Sequence, residues 1–176
     1  MVFSMNSMEM MKVDGLHKGA GEFLAIVRNR WKFGFFMLGK LPSAFFSGVR
    51  VRAISPESAS VTVPYKWFSQ NPFRSTYFAC QAMAAEMSTG LLAMMQVHGR
   101  KPAVSMLVVK LEGSFHKKAT GLTVFTCQDG VRIQRAVEET LATGEGVMLE
   151  AESRGMNEAG ELVAMFKVTW SFKRRQ

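Results

Sequence analysis

Residues 75–97 read STYFACQAMAAEMSTGLLAMMQV. The run is long enough for about six helical turns, rich in Ala, Met and Leu, and apolar nearly all the way round. Such a pattern marks a helix buried on most of its sides. The stretch from Gly99 to Pro102 ends it.

Glu86 is the one charged residue in that run. At about 100° per residue, Ala79, Ala82, Gly90 and Ala93 fall within roughly 40° of it, and Thr89 within about 60°. Met87, Leu91, Leu92 and Met95 lie farther round. The carboxylate therefore stands in a stripe of small side chains. Either a neighbouring element fills that groove and Glu86 is satisfied by Arg50, Arg52 or another partner, or a substrate fills it. In the second case a half-desolvated carboxylate, its pKa raised toward neutrality, serves as a general base. The residue pattern leaves both readings open.

Upstream, Asn71-Pro72-Phe73-Arg74-Ser75-Thr76 leads into the helix. Ser75 or Thr76 is the expected cap, and the first helical amides are donors that could face a carbonyl oxygen. Before that loop, residues 48–55 and 59–65 alternate apolar and polar around Pro56-Glu57, which predicts a hairpin with one wet face. Downstream, residues 103–115 and 119–127 read as two long strands joined at His116-Lys117-Lys118. Asp129 is the expected cap of a short helix over 131–142, with Gly144 as its stop. Residues 147–153 and 162–172 close the chain as a hairpin around 157–160. At the other end, 16–38 reads as one helix with Phe23, Ile26, Val27, Trp31, Phe35 and Phe36 apolar and Arg28, Arg30 and Lys32 basic, stopped at Pro42. This helix either caps the domain's own sheet or lies on a membrane surface. The order predicts an α+β fold: an antiparallel sheet wrapped on one long helix, in a single domain over 16–176 after a flexible start at 1–15.

The 176 residues suffice for a sizeable core, and 48% hydrophobic with 20% charged residues reads as globular. Fourteen Met and fourteen Phe suit an adaptable apolar cavity or a soft core. The net charge of +8 favours anionic partners such as a phosphate-bearing small molecule, while no nucleic-acid motif appears. Cys80 and Cys127 sit in apolar segments as buried thiols, and no metal-ligand spacing is present. No segment has the roughly 18 uninterrupted apolar residues of a membrane span. A soluble cytoplasmic protein is expected. His17, His98 and His116 are read as surface or structural.

The loop and helix together resemble the hotdog superfamily, in particular its phenylacetyl-CoA thioesterase-like branch. That branch carries Asn, two residues, Gly-Ser/Thr, one residue, His-Gly-Gly, and an Asp farther along the helix. Laid on without gaps, the Asn falls on Asn71, the Ser/Thr on Ser75 and the Asp near Glu86. Arg74 stands for the Gly, and Tyr77, Phe78 and Ala79 stand for His-Gly-Gly. Residues 115–121 (FHKKATG) are similar to the branch's aromatic-x-Arg-Pro-Ala-x-Gly turn, and 157–164 to its last hairpin.

The resemblance spans about Gly48 to Phe172. It implies acyl-CoA thioester hydrolysis with Glu86 activating water and Asn71 orienting substrate or water. Amides near Tyr77, Phe78 and Ala79, with Ser75 and Thr89, would form the oxyanion and substrate-binding positions. Lys117 and Lys118 would meet coenzyme A phosphates. It further implies a homodimer or a dimer of dimers with sites between subunits, and no cofactor beyond the coenzyme A of the substrate. The alternative is a non-catalytic acyl-CoA or lipid-binding module on the same scaffold. A hotdog dehydratase is disfavoured, since no His lies in the 67–76 loop.

Overall fold

The computed structural model describes residues 16–175; the flexible start expected at 1–15 lies outside them. Helices α1 (Lys18–Arg28), α2 (Arg30–Lys40) and α3 (Pro42–Ser47) precede strands β1 (Arg50–Ile54) and β2 (Ala59–Val63). The long helix α4 (Phe78–Val97), β3 (Val104–Phe115), β4 (Thr123–Cys127), α5 (Gly130–Thr143), β5 (Val147–Met156) and β6 (Leu162–Arg174) follow. The six strands form one sheet in the order β1-β2-β4-β5-β6-β3, every neighbouring pair antiparallel. Its concave face wraps α4, as the apolar rod at 78–97 requires. Leu92 and Met95 from the helix meet a core that includes Val61, Phe125, Val168 and Phe172, all fully buried. Each such large side chain contributes about 1.5–3 kcal/mol on leaving water.

Five local expectations are corrected. The long strand read over 119–127 is the five-residue β4 (Thr123–Cys127), because residues 119–122 form the turn region to which the Thr76 loop is fastened. The helix read over 16–38 is two helices. Asn29 is extended (φ −82°, ψ 100°) and its Oδ1 accepts from the Lys32 amide at 3.0 Å, so a capping side chain outcompetes helix continuation. Pro42 opens α3 instead of closing the helical region, since a first-turn residue needs no amide partner. Neither Ser75 nor Thr76 caps α4. Both are held in the preceding loop, and Tyr77 takes the cap position with no side-chain bond. Asp129 likewise makes no cap bond. Its Oδ2 accepts from the Glu152 amide at 2.8 Å and its Oδ1 pairs with Arg132, tying the start of α5 to β5. Gly144 ends α5 at φ 79°, as expected.

Strand β3 forms one edge of the sheet. A register shift between Val108 and Lys110 reverses its faces. Before it, Met106 and Val108 lie beside the buried Phe172 and Trp170; after it, Leu111 lies beside the buried Val168. Leu111 and Phe115 thus lie on the same side of the sheet as the buried Val168 and Ala164, yet they remain 47% and 52% exposed.

Candidate active site

Two features of α4 carry chemistry, and the sequence places them eight residues apart. The first is the helix start. Residues 71–76 fold back as a tight loop in which Asn71 Oδ1 accepts from the Phe73 amide, the Ser75 amide and the Ser75 hydroxyl at 3.0–3.2 Å. Arg74 sits at φ 56°, in the left-handed region that favours glycine, at the position where the resembled motif has Gly. The Thr76 amide and hydroxyl both donate to the Ala119 carbonyl, which fastens the loop to the turn after β3. Asn71, Ser75, Tyr77, Phe78, Lys117 and Lys118 consequently line one cleft of about 390 Å³.

The donors in this cleft are not all free. The Tyr77 amide donates to the Ser69 carbonyl at 2.7 Å and is spent. The amides of Phe78 and Ala79 have no partner among the described residues, so the pair able to meet an oxyanion is Phe78 and Ala79. The Ser75 hydroxyl is committed to Asn71 and secures the loop. Asn71 Nδ2 has no partner among the described residues. Lys117 is ion-paired to Glu161 at 2.6 Å, whereas Lys118 has no ion pair among the described residues.

Gln81, absent from the sequence-derived set, lies on the cleft floor, 4% exposed. Its Nε2 donates to the Thr76 carbonyl at 3.0 Å, while its Oε1 is buried with no partner among the described residues. A buried amide one turn into an apolar helix was the signal available in the sequence.

The second feature is Glu86. It is half-buried, and its carboxylate makes no hydrogen bond or ion pair among the described residues, so the pairing with Arg50 or Arg52 is not formed. Desolvation alone holds its pKa above the ordinary carboxylate value. The small-residue stripe is real at Gly90, where a methyl group would lie 3.1 Å from Glu86 Oε1 and 3.3 Å from the Trp170 ring. Trp170 lies on β6, between Leu149 of β5 and Val108 of β3. Thr89 is fully buried and its hydroxyl is used twice: it donates to the Glu86 carbonyl at 2.9 Å and accepts from Trp170 Nε1 at 3.0 Å. It fixes the helix turn and the indole; no substrate contact is left to it.

Glu86 does not line the cleft at the helix start. Eight residues of helix separate it from the Phe78 amide, about 12 Å at 1.5 Å per residue.

The remaining candidates behave as structural groups. Cys80 is buried with its Sγ 3.6 Å from the Ser47 hydroxyl. Burial pushes the Cys127 thiol up to about 12. The His98 ring packs on Phe23, and His116 is exposed at the strand end. Among the described residues no helix is long and apolar enough to cross a membrane.

A six-stranded antiparallel sheet wrapped on one long helix, in this strand order, is the hotdog fold. Solved structures share it. A Pseudomonas aeruginosa protein of unknown function, PA5026, whose name adds "Probable Thioesterase", is 18% identical, with 82% of this chain and 96% of that one covered at a TM-score of 0.69. Thioesterase PA1618 from Pseudomonas aeruginosa, solved as a mutant, is 10% identical over 84% and 95% at 0.61. Thioesterase HI1161 from Haemophilus influenzae is 8% identical over 82% and 90% at 0.58. No curated protein matches. The chain belongs to the family described as Domain of unknown function (DUF4442), which matches residues 29–172.

Proposed function

We propose that the chain hydrolyses acyl thioesters, with coenzyme A as the thiol, at sites shared between two copies. The observation that carries this reading is the unpaired, desolvated Glu86 carboxylate on the same helix as two free N-terminal amides, about 12 Å apart along its axis and in no common cleft. A second copy would bring its own helix start to Glu86. The half-exposed Leu111 and Phe115 on an edge strand offer the surface for it. The thioesterase names borne by structures of the same fold support the reaction class.

In this reading Glu86 takes a proton from water as the water oxygen bonds to the thioester carbon. The oxyanion so formed accepts hydrogen bonds from the partner's helix start, at the amides equivalent to Phe78 and Ala79. Collapse breaks the carbon–sulfur bond, and the thiolate leaves with the proton held by Glu86. Asn71 Nδ2 orients the acyl group. Lys118 meets phosphate at the cleft rim, and Lys117 does so only by leaving Glu161.

Short, long and aryl acyl-CoAs assayed for free thiol test this directly. Turnover that falls about 10²–10⁴-fold in Glu86→Gln with the fold retained is the expected result. A second reading, an acyl-CoA binder without hydrolysis, is favoured by the Tyr77 and Phe78 rings that line the cleft where the resembled motif has His and Gly. Calorimetric binding of the same acyl-CoAs with no thiol released would establish it instead.

A further inference from the structure

The N-terminal layer carries a feature the thioester site does not use. Between Glu22 and Glu57 the chain has no Asp or Glu, but it has Arg28, Arg30, Lys32, Lys40, Arg50 and Arg52. None of the six forms an ion pair among the described residues. Within α2, Phe33 and Met37 are buried against the domain. Trp31, Phe35 and Leu38 lie on the opposite side, spaced i, i+4, i+7, with Trp31 82% and Phe35 71% exposed. At about 100° per residue, Arg30 and Lys32 flank this stripe on either side. Across a groove of about 1020 Å³ stand Arg50 and Arg52 of β1, with the Arg50 guanidinium held over the Phe45 ring at 4.5 Å.

We propose that this face docks the protein on the surface of an anionic lipid bilayer. The indole and phenyl groups enter the boundary between headgroups and acyl chains, and the cations on both sides reach lipid phosphates. Charge and form both favour this occupant. A protein partner would need an acidic apolar counterpart, and a nucleic acid would leave the stripe of Trp31, Phe35 and Leu38 unused. A bilayer carrying anionic lipid satisfies aromatic and cationic groups together, and α2 lies flat against it because its other side is already packed. The helix is too short to span a bilayer, so the attachment is peripheral.

Flotation of the full chain with vesicles tests the proposal, comparing phosphatidylcholine alone with phosphatidylcholine containing a quarter phosphatidylglycerol. The expected result is flotation with the anionic vesicles, weakened by added salt, and none with the neutral ones. Arg30→Gln with Lys32→Gln should lower the partition coefficient about 30-fold. Trp31→Ala with Phe35→Ala should lower it comparably, with circular dichroism unchanged because both side chains are exposed. Wild-type Trp fluorescence should shift to the blue on anionic vesicles, and Trp31→Phe should abolish the shift. Flotation with neither vesicle would overturn the proposal. So would anionic binding that ignores the loss of Trp31 and Phe35, since a purely electrostatic polyanion surface behaves that way. Thiol release by each variant in vesicle-free buffer separates a failure here from a failure of the thioester reading.

Discussion

Glu86 is a carboxylate whose ionisation costs more inside the folded chain than outside it. Its pKa is raised by burial, so the folded state binds the proton more tightly than the unfolded one. The stability linked to that proton is fully present below the unfolded pKa and is lost as pH rises through the folded one. Glu86→Gln should therefore be more stable than the parent at neutral pH, and the gap should close on acidification, as denaturant melts at several pH values would show. For the reaction the sign is opposite. A base must be ionised, so the acid limb of the kcat profile should lie above the ordinary carboxylate range and vanish in the Gln variant. Thr89→Val should leave the buried Trp170 N–H unpaired and cost about 1–3 kcal/mol in chemical denaturation, loosening the turn under Glu86 as well.

Glu86 was legible in the sequence because one charge in an apolar rod stands out, and the small Gly90 beside it followed from helical spacing. The state of each amide was not. Whether Tyr77 N–H is free depends on the Ser69 carbonyl, eight positions upstream, which a bend through the Gln70–Thr76 bridge brings back to the helix start. No local pattern announces that return.

Among the elements, strong periodicity translated directly: α4, the hairpins and α5 formed where alternation or a continuous apolar run predicted them. The misreadings cluster where a polar side chain chose between two backbone roles. Asn29 breaks a run whose apolar spacing continues on both sides, and Asp129 serves β5 instead of capping α5. The face reversal in β3 was hidden for a different reason. A one-residue shift changes which face each side chain takes without changing composition, and it puts Leu111 and Phe115 on the side of the buried Val168 and Ala164. Leu111→Lys on this edge should give a folded monomer by sedimentation, with thiol release lost, if the strand joins two copies. Retained association with full activity would move the interface elsewhere.

For the whole molecule, the proposed function puts the base and the oxyanion donors of a working site on different copies. Phe78→Pro removes one donor amide at a first-turn position where proline is tolerated and where no existing hydrogen bond is lost. Glu86→Gln removes the base. Each protein alone should be nearly inactive toward acyl-CoA. Unfolded together and refolded as an equal mixture, half of the dimers pair one of each, and each of these holds one site with both groups intact. Thiol release should then recover to about a quarter of the parent rate. A mixture as silent as its components, beside an active parent, would contradict the shared site; a parent that releases no thiol from any acyl-CoA would contradict the reaction itself.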